Sequence, residues 1–424
     1  MTVTETYLRP ARSPQPSART VTHGVAFWFV GYAFAVVMAF AAVPTPLYVL
    51  YAQQDHLSSF AVTCVFAAYA VGVVASLFLA GHVSDWVGRR RMLLSATMLS
   101  LLAGLVFIVW TGLPALIVAR VVSGLAVGIV TTTATAHLGE LHARHRPDAA
   151  ARRAQTVAVA ANLGGIGLGP LLSGLLAQLA PAPLLTPYLV SEAMLVIAVV
   201  ALALSPETVT RDASATYRMQ RIAVPRQARR AFAAAAVGAS VTFTIFGLFS
   251  ALVPGFLAGT LHQPSHAVAG AVASAVFLAS AAAQLSRSRA RHASRIAGAS
   301  AASAGLAMLT VGTWTAQLPL FVVGAVVTGA GAGLLFKTLL ATVLDLAPPD
   351  NVGEVLAAFF LAGYVGLAVP VVILGVLEQF LSTSVLMTVF AAAAVAALTV
   401  SVSALRGSAT PLPADARPRQ KGHV

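Results

Sequence analysis

Charge is what this sequence has least of. Only 9% of its 424 residues are Asp, Glu, Lys or Arg, where an ordinary soluble domain carries about 25%. A soluble chain of this length needs a solvated polar surface, and 26 basic with 13 acidic side chains cannot supply one. That excludes a soluble enzyme, a nucleic-acid-binding domain and a disordered chain. Cysteine is nearly absent as well. Cys64 stands alone inside an apolar run, so neither an internal disulfide nor a thiolate metal cluster can form. There is no Gly-x4-Gly-Lys-Ser/Thr loop, no His-Glu-x-x-His and no cysteine pair. By itself the chain is therefore not an ATP-driven pump, no enzyme activity and no cofactor are expected, and the drive must be an ion gradient or the cargo's own gradient. His262 and His266 share a loop, but Pro264 intervenes and no third ligand is evident, so no metal site is expected.

What is abundant is apolar, 58% of the chain. A bilayer core needs about 20 apolar residues per helix. Twelve such spans can be read, at 24–50, 58–80, 92–112, 115–138, 154–180, 186–205, 231–257, 266–285, 294–312, 318–343, 354–376 and 383–405. Residues 1–22 are polar and rich in Pro, Arg and Ser. The first span then runs on past the length of a signal peptide's apolar core, so a cleaved leader is not expected.

The basic residues sort by loop. Arg9, Arg12 and Arg19 precede span 1, and Arg89, Arg90 and Arg91 follow span 2. Arg144, Arg146, Arg152 and Arg153 lie between spans 4 and 5, and six arginines from Arg211 to Arg230 fill the central loop. Arg287, Arg289, Arg291 and Arg295 follow span 8, and Arg406, Arg417, Arg419 and Lys421 follow span 12. All 24 fall on one side of an even-numbered topology, and the six opposite loops hold none. The positive-inside rule then puts both termini in the cytoplasm. The excess charge of +13 is explained by topology and the anionic inner leaflet, with no nucleic acid partner. The preference for Arg over Lys, with abundant Ala, points to a GC-rich bacterial genome. The expectation is a multi-pass protein of a bacterial cytoplasmic (inner) membrane.

The polar stretch Glu207 to Arg230 divides the spans six and six. The expected organisation is an N-tail (1–23), a first six-helix half (24–206), a central loop (207–230), a second half (231–405) and a C-tail (406–424). The halves echo each other. Pro114, Gly124, Gly128 and Glu140 in span 4 match Pro319, Gly329, Gly333 and Asp345 in span 10, all at an offset of 205. Val43-Pro44 matches Val253-Pro254, and Pro170 matches Pro370. Helices six apart run the same way, so the halves form parallel repeats.

Three motifs carry a resemblance. After span 2 stands Gly81-His82-Val83-Ser84-Asp85-Trp86-Val87-Gly88-Arg89-Arg90-Arg91. Span 4 reads Arg120-x-x-x-Gly124-x-x-x-Gly128, and span 5 reads Gly165-x-x-x-Gly169-Pro170-x-x-Ser173-Gly174. The chain resembles the major facilitator superfamily, and within it the twelve-helix drug/proton antiporter-like exporters. The resemblance implies an all-α membrane fold of two pseudo-symmetric six-helix halves. It also implies a conformational latch at Gly81, Asp85, Gly88, Arg89 and Arg90. The motif of span 5 is similar to that family's antiporter motif, with Ser173 in place of one Gly. The equivalent loop of the second half, Gln284 to Arg295, keeps the arginines but lacks the Gly and Asp. In the family, helices 1, 4, 7 and 10 line the cavity and helices 3, 6, 9 and 12 form the scaffold.

The residues themselves say why such motifs work. Gly88 permits a backbone conformation closed to other residues, and Asp85 can pair with Arg89 or cap a helix. Gly165 and Gly169 share a helix face that permits close helix contact, expected here against span 8. Pro170 removes a backbone hydrogen bond and bends its helix.

Candidates for chemistry are few. An ionised Arg inside a span costs at least about 2.5–3.5 kcal/mol, so Arg120 either faces a wet cavity or snorkels to the interface. Lys337 in span 10 faces the same choice, binding an anion or reaching the interface. Tyr32 belongs to the aromatic set of span 1, with Trp28 and Phe34, and Phe243 and Phe246 lie in span 7. These aromatics hold a flat ligand or pack against neighbours. Glu192 and His137 are the coupling candidates in spans 6 and 4, because carboxylates and imidazoles have tunable pKa values. Spans 1 and 7 carry no acid, unlike exporters with an acid in helix 1, so the proton carrier is not identified. With Arg120 and Lys337 together, the cavity favours anionic or zwitterionic cargo over purely cationic drugs.

The sequence thus points to a secondary transporter moving a small organic molecule by alternating access, with proton-coupled export of a drug or metabolite first. Proton-coupled uptake is the alternative, and an integral-membrane enzyme is the competing class. The partners expected are the small-molecule substrate, protons and membrane lipids, in a monomer.

Overall fold

In hydrocarbon every backbone N–H and C=O must be satisfied within its own segment, which leaves helices as the form for long apolar runs. The computed structural model describes residues 20–406 except 81–82, 148, 210–223, 225, 287–289 and 349–350. Gly81 of the latch motif therefore lies outside the described residues, as do most of both tails and of the central loop.

Each predicted span is a helix long and apolar enough to cross a bilayer. They are α1 His23–Gln54, α2 Ser59–Leu79, α3 Arg89–Val109, α4 Leu113–His145, α5 Arg152–Leu179 and α6 Thr186–Leu204, then α7 Arg226–Ala251, α8 His266–Leu285, α9 Arg291–Trp314, α10 Leu318–Leu346, α11 Val352–Leu377 and α12 Thr383–Arg406. Pro114, Pro187 and Pro319 sit in the first turn of α4, α6 and α10, where a missing N–H costs nothing. Large apolar side chains point outward around the bundle, such as Val109 at 72% and Leu179 at 80% exposure. In water such a surface would aggregate, whereas in lipid it is the ordinary exterior.

The matched prolines act alike. α1 leaves α-helical geometry after Ala42, passes through a 3₁₀ turn at Thr45–Leu47 and resumes at Tyr48. α7 stops at Ala251, and a further short helix, Val253–Gly259, begins at the second Val-Pro pair. Proline lacks the donor that would continue the ladder and crowds the preceding turn.

Close packing repeats too. Gly124 and Gly128 press on the Tyr69 and Val73 carbonyls of α2. Their counterparts Gly329 and Gly333 press on the Val276 and Ser280 carbonyls of α8. A Cβ at any of the four would collide with backbone, so the small residues set how close α4 lies to α2 and α10 to α8. The repeat extends to charge, since Arg89 at the head of α3 pairs with Glu140 and Arg291 at the head of α9 pairs with Asp345.

The two sets of six helices meet mainly along α5 against α8 and α2 against α11. One packing expectation changes. Gly165 and Gly169 face Ala35 and Ala39 of α1, within the first half. Gly167 and Gly174 are the residues that meet α8, at Leu278 and at His266 with Gly270. A helix period of 3.6 turns those pairs to opposite sides, and α1 fills the first side. α5 also departs from α-geometry before Pro170, in a π-helical stretch over Ala160–Gly164.

Candidate functional site

Between the halves lies a cavity of about 380 Å³. α1, α4, α7 and α10 line it, as the resemblance implied, and α2, α5, α8 and α11 join them, while α3, α6, α9 and α12 contribute no wall residue. The wall is largely apolar and rich in aromatic rings, among them Phe66, Tyr69, Phe243, Phe246, Phe336 and Tyr364. Phe243 meets Tyr364 edge-on at 5.2 Å, and Phe246 stacks on Phe277 at 5.0 Å between ring centres. Polar groups are sparse. Asn162 comes from the π-helical stretch, a distortion often placed at functional positions, and Gln155, Gln284 and Thr135 lie nearer the end where the arginine loops gather. Gln155 and Thr135 are exposed although they face the interior, so the cavity opens at this basic end.

The opposite, arginine-free end is closed. Gln178 of α5 accepts from the Ser265 hydroxyl at 3.2 Å and from the His266 amide at 3.1 Å, across the two halves. Gly270 sits against the Pro170 carbonyl, and Gly375 of α11 against Thr63 of α2.

Arg120 is the charged residue of the cavity wall. It is 3% exposed. Its guanidinium donates to the Ala41 carbonyl at 2.6 Å, just before the break in α1. It also lies 4.5 Å from the Tyr69 ring centre and 5.7 Å from that of Phe66. Those rings offer cation–π attraction. Its Nε has no hydrogen-bond partner, and it joins no ion pair among the described residues. No Asp or Glu among the described residues lines the cavity. The arrangement is a desolvated cation, flanked by flat rings, with no counter-charge.

The other candidates lie elsewhere. Lys337 does not line the cavity; its Nζ donates to the Ser286 carbonyl at 2.7 Å, at the basic end of α8. Snorkelling to an interfacial carbonyl spares it desolvation. Tyr32 donates to the Met194 carbonyl at 3.2 Å, tying α1 to α6 outside the cavity. Glu192 packs its carboxyl against Gly104 of α3, with Oε1 buried and unpartnered. His137 is fully buried on α4 near Glu207, Glu140 and Arg89, behind the cavity wall. Thr131 and Thr135 line the cavity while bonding back to the Val127 and Thr131 carbonyls, both at 2.7 Å.

The motif after α2 builds a charge network at the basic end. Asp85 sits 2.5 Å from the Arg89 guanidinium. Arg89 also reaches Glu140 at 3.0 Å and the Ser84 hydroxyl at 2.6 Å. Glu207 accepts from the backbone amides of Arg89 at 2.8 Å, Arg90 at 3.2 Å and Thr208 at 3.0 Å. It thereby satisfies the orphan N–H groups at the head of α3 and opposes the positive pole there. Gly88 makes room for it, because at φ 116° a Cβ would strike the Glu207 carboxylate. Thr208 and Arg144 close the ring through Glu140 Oε2 and the Thr208 carbonyl. Every partner in this network comes from residues 84–208, none from the second six helices.

The sequence marks Glu207 only as the start of the central polar stretch and does not disclose its role as a cap for α3. Sequence reasoning also missed Asn162, Gln155 and the aromatics of α2 and α11. The signal for the cap was a Gly-Arg pair opening an apolar run with no side-chain cap of its own, which demands an acceptor from elsewhere.

The family model described as Major Facilitator Superfamily matches residues 28–369. No curated protein matches the chain. Among solved structures, a POT family transporter crystallised in complex with 5-aminolevulinic acid superposes with a TM-score of 0.72 at 12% identity, covering 91% of this chain and 96% of the other. The human organic anion transporter MFSD10 (TETRAN) superposes with a TM-score of 0.62 at 14% identity, covering 91% and 100%. At these identities the likeness is one of fold.

Proposed function

Because the chain belongs to the major facilitator superfamily, and is with it a multi-pass secondary transporter of small molecules and no enzyme, we propose that it exports an organic anion from the cytoplasm in exchange for protons. Residues 24–206 and 231–405 rock against each other around the central cavity. The basic end is the cytoplasmic one by the positive-inside rule, so the cavity faces inward and loads from the cytoplasm. In the outward-facing form Asp85, Gly88, Arg89 and Arg90 brace the basic end shut.

The observation that carries the cargo chemistry is Arg120, a buried cation without a carboxylate partner in a cavity lined by no acid. An unpaired charge taken from water is expensive. A bound anion relieves that cost, and a cationic drug adds to it. The aromatic wall suits a flat apolar body. The glycine contacts of Gly165, Gly169 and Gly174 around Pro170 give α5 the close seat on α1 and α8 about which it can pivot.

The test uses inverted membrane vesicles acidified inside by respiration, with a fluorescent dye reporting the pH gradient. The probes are 2-naphthalenesulfonate, 2-naphthalenesulfonamide and a naphthylmethyl trimethylammonium salt, which share one ring system and differ in charge. Gradient loss with the sulfonate in wild type, and none with the Asp85→Asn protein, is the expected result. A response to the ammonium salt alone would overturn the anion assignment. Sulfonate accumulation without gradient loss would overturn proton exchange.

A further inference from the structure

The closed end contains a second, smaller cavity of about 80 Å³, in the seam between the halves. Tyr48, Ser59 and Val62 face it from α1 and α2, and Ala251, Leu252 and Glu378 from the ends of α7 and α11. Glu378 is the acid of this lining. The Ser59 hydroxyl acts on its carboxyl from across the seam, while Oε2 is buried with no partner. No cation stands near to pair with it. The six loops of this end contain neither Lys nor Arg, and no ion pair among the described residues includes Glu378. Of the other titratable groups on the packed elements, Tyr48 faces the same cavity with its hydroxyl buried and unpartnered. Tyr51 bonds Tyr188 at 3.0 Å. Asp55 and His56 in the α1–α2 turn, and His262 beyond Gly259, do not line the cavity.

A carboxylate with a buried, unpartnered oxygen and no counter-ion belongs in water, and a carboxylic acid tolerates such a place far better. Glu378 is half-buried, and water reaches its Oε2 only when the halves part at this end. We propose that Glu378 is a proton-binding site of the seam: it takes a proton from the arginine-free side, and in its neutral form lets the two halves close there. This rests on the alternating-access reading above and adds to it the group that senses the proton. The proton comes from water, binds a carboxylate oxygen, and returns to water when the seam opens at higher pH.

The sign of the linkage follows. Burial pushes the Glu378 carboxyl up from the usual carboxylate range, with the Ser59 bond pulling weakly the other way. In the parted form the group is hydrated and ordinary. The closed form therefore holds the proton more tightly. Closure is favoured as pH falls through the raised value toward the ordinary one, and that advantage is lost as pH rises above the raised value.

The experiment reads the seam directly. The full chain carries Cys64→Ser, with spin labels at Gln54→Cys on the first half and Gln317→Cys on the second, both exposed at this end. It is placed in lipid nanodiscs without cargo, and distance distributions are recorded by pulsed spin resonance from acid to mildly alkaline pH. The short-distance population should grow with acid in the wild-type background. It should stay high at every pH in Glu378→Gln, a neutral isostere, and Glu378→Asp should restore the pH response. A label pair within one half, unmoved throughout, certifies the fold. A pH response in Glu378→Gln equal to that of wild type would overturn the proposal, and so would a wild-type distance that ignores pH. The vesicle assay separates this from the coupling reading. Sulfonate-driven proton movement alongside an unaltered Glu378→Gln response sinks Glu378 and leaves proton exchange standing. A pH-driven seam with no such movement does the reverse.

Discussion

On the proposed reading, the chemistry of one side chain, Arg120, decides what the cavity accepts. Its Nη1 bond to the Ala41 carbonyl and its place over Tyr69 hold the guanidinium still, with Nε buried and unpartnered. A hydrogen bond to a charged group contributes about 1.5–3 kcal/mol. Arg120→Gln should thus weaken 2-naphthalenesulfonate binding roughly 10- to 150-fold, read by ligand-induced thermal stabilisation, and leave sulfonamide binding unchanged. Arg120→Lys should recover only part of it, since a point charge cannot keep the Ala41 bond and the ring contact together. Gly88 makes a second residue-scale case. At φ 116° it occupies backbone that other residues rarely adopt, and an added methyl meets Glu207. Gly88→Ala should cost about 1–3 kcal/mol, seen as a lower unfolding midpoint, with Arg89 and Arg90 freed from their cap. Of these two sites the sequence disclosed the residues but not their partners. The spacing of the Gly-x-x-x-Asp-x-x-Gly-Arg-Arg stretch was plain, whereas Glu207 is brought to it by the α6 turn. Glu378 was missed because a carboxylate just past a span reads as interfacial; it is half-buried in a cavity that the opposite half helps to line.

Among the helices, small residues fix which surfaces meet. α5 touches α1 on one face and α8 on the other, and the α8 contact is also part of the closed end. Gly270 lies on the Pro170 carbonyl with no room for a side chain. Gly270→Val should wedge α5 from α8 and lengthen the Gln54–Gln317 spin-label distance at every pH, while helix content by circular dichroism is unchanged. An unchanged distance would mean that this contact does not set closure. All twelve helices were legible in the sequence because composition is extreme and the bilayer admits one spanning form. Their faces were not. In a membrane chain both lipid-facing and buried sides are apolar, so the periodicity that marks a soluble helix's inner face is lost. That is why Glu192 and His137, plausible by type, turned out to pack away from the cavity, and why Asn162, carried inward by a π-helical stretch, went unnoticed.

For the molecule as a whole, one asymmetry of charge orients everything. The arginines gather at one end and the closed seam is at the other. An impermeant thiol reagent added to whole cells should therefore label Gln54→Cys and spare Ala149→Cys in a Cys64→Ser background, and the pattern should reverse in inverted vesicles. Equal labelling from both sides would refute the assigned orientation.

The two halves share a plan without sharing its strength. The pair Arg89–Glu140 is 13% and 32% exposed and sits inside a ring of further bonds, whereas its counterpart Arg291–Asp345 is 66% and 59% exposed. Exposed pairs contribute little, about 0–1 kcal/mol. At the mouth of the cavity one jaw is thus braced and the other is loose; on the proposed alternating-access reading, the second half would do the yielding when the mouth shuts and the first would act as its anvil. Amide hydrogens around Arg291 should exchange with solvent sooner than those around Arg89, although a symmetric sequence plan would have given them equal shelter.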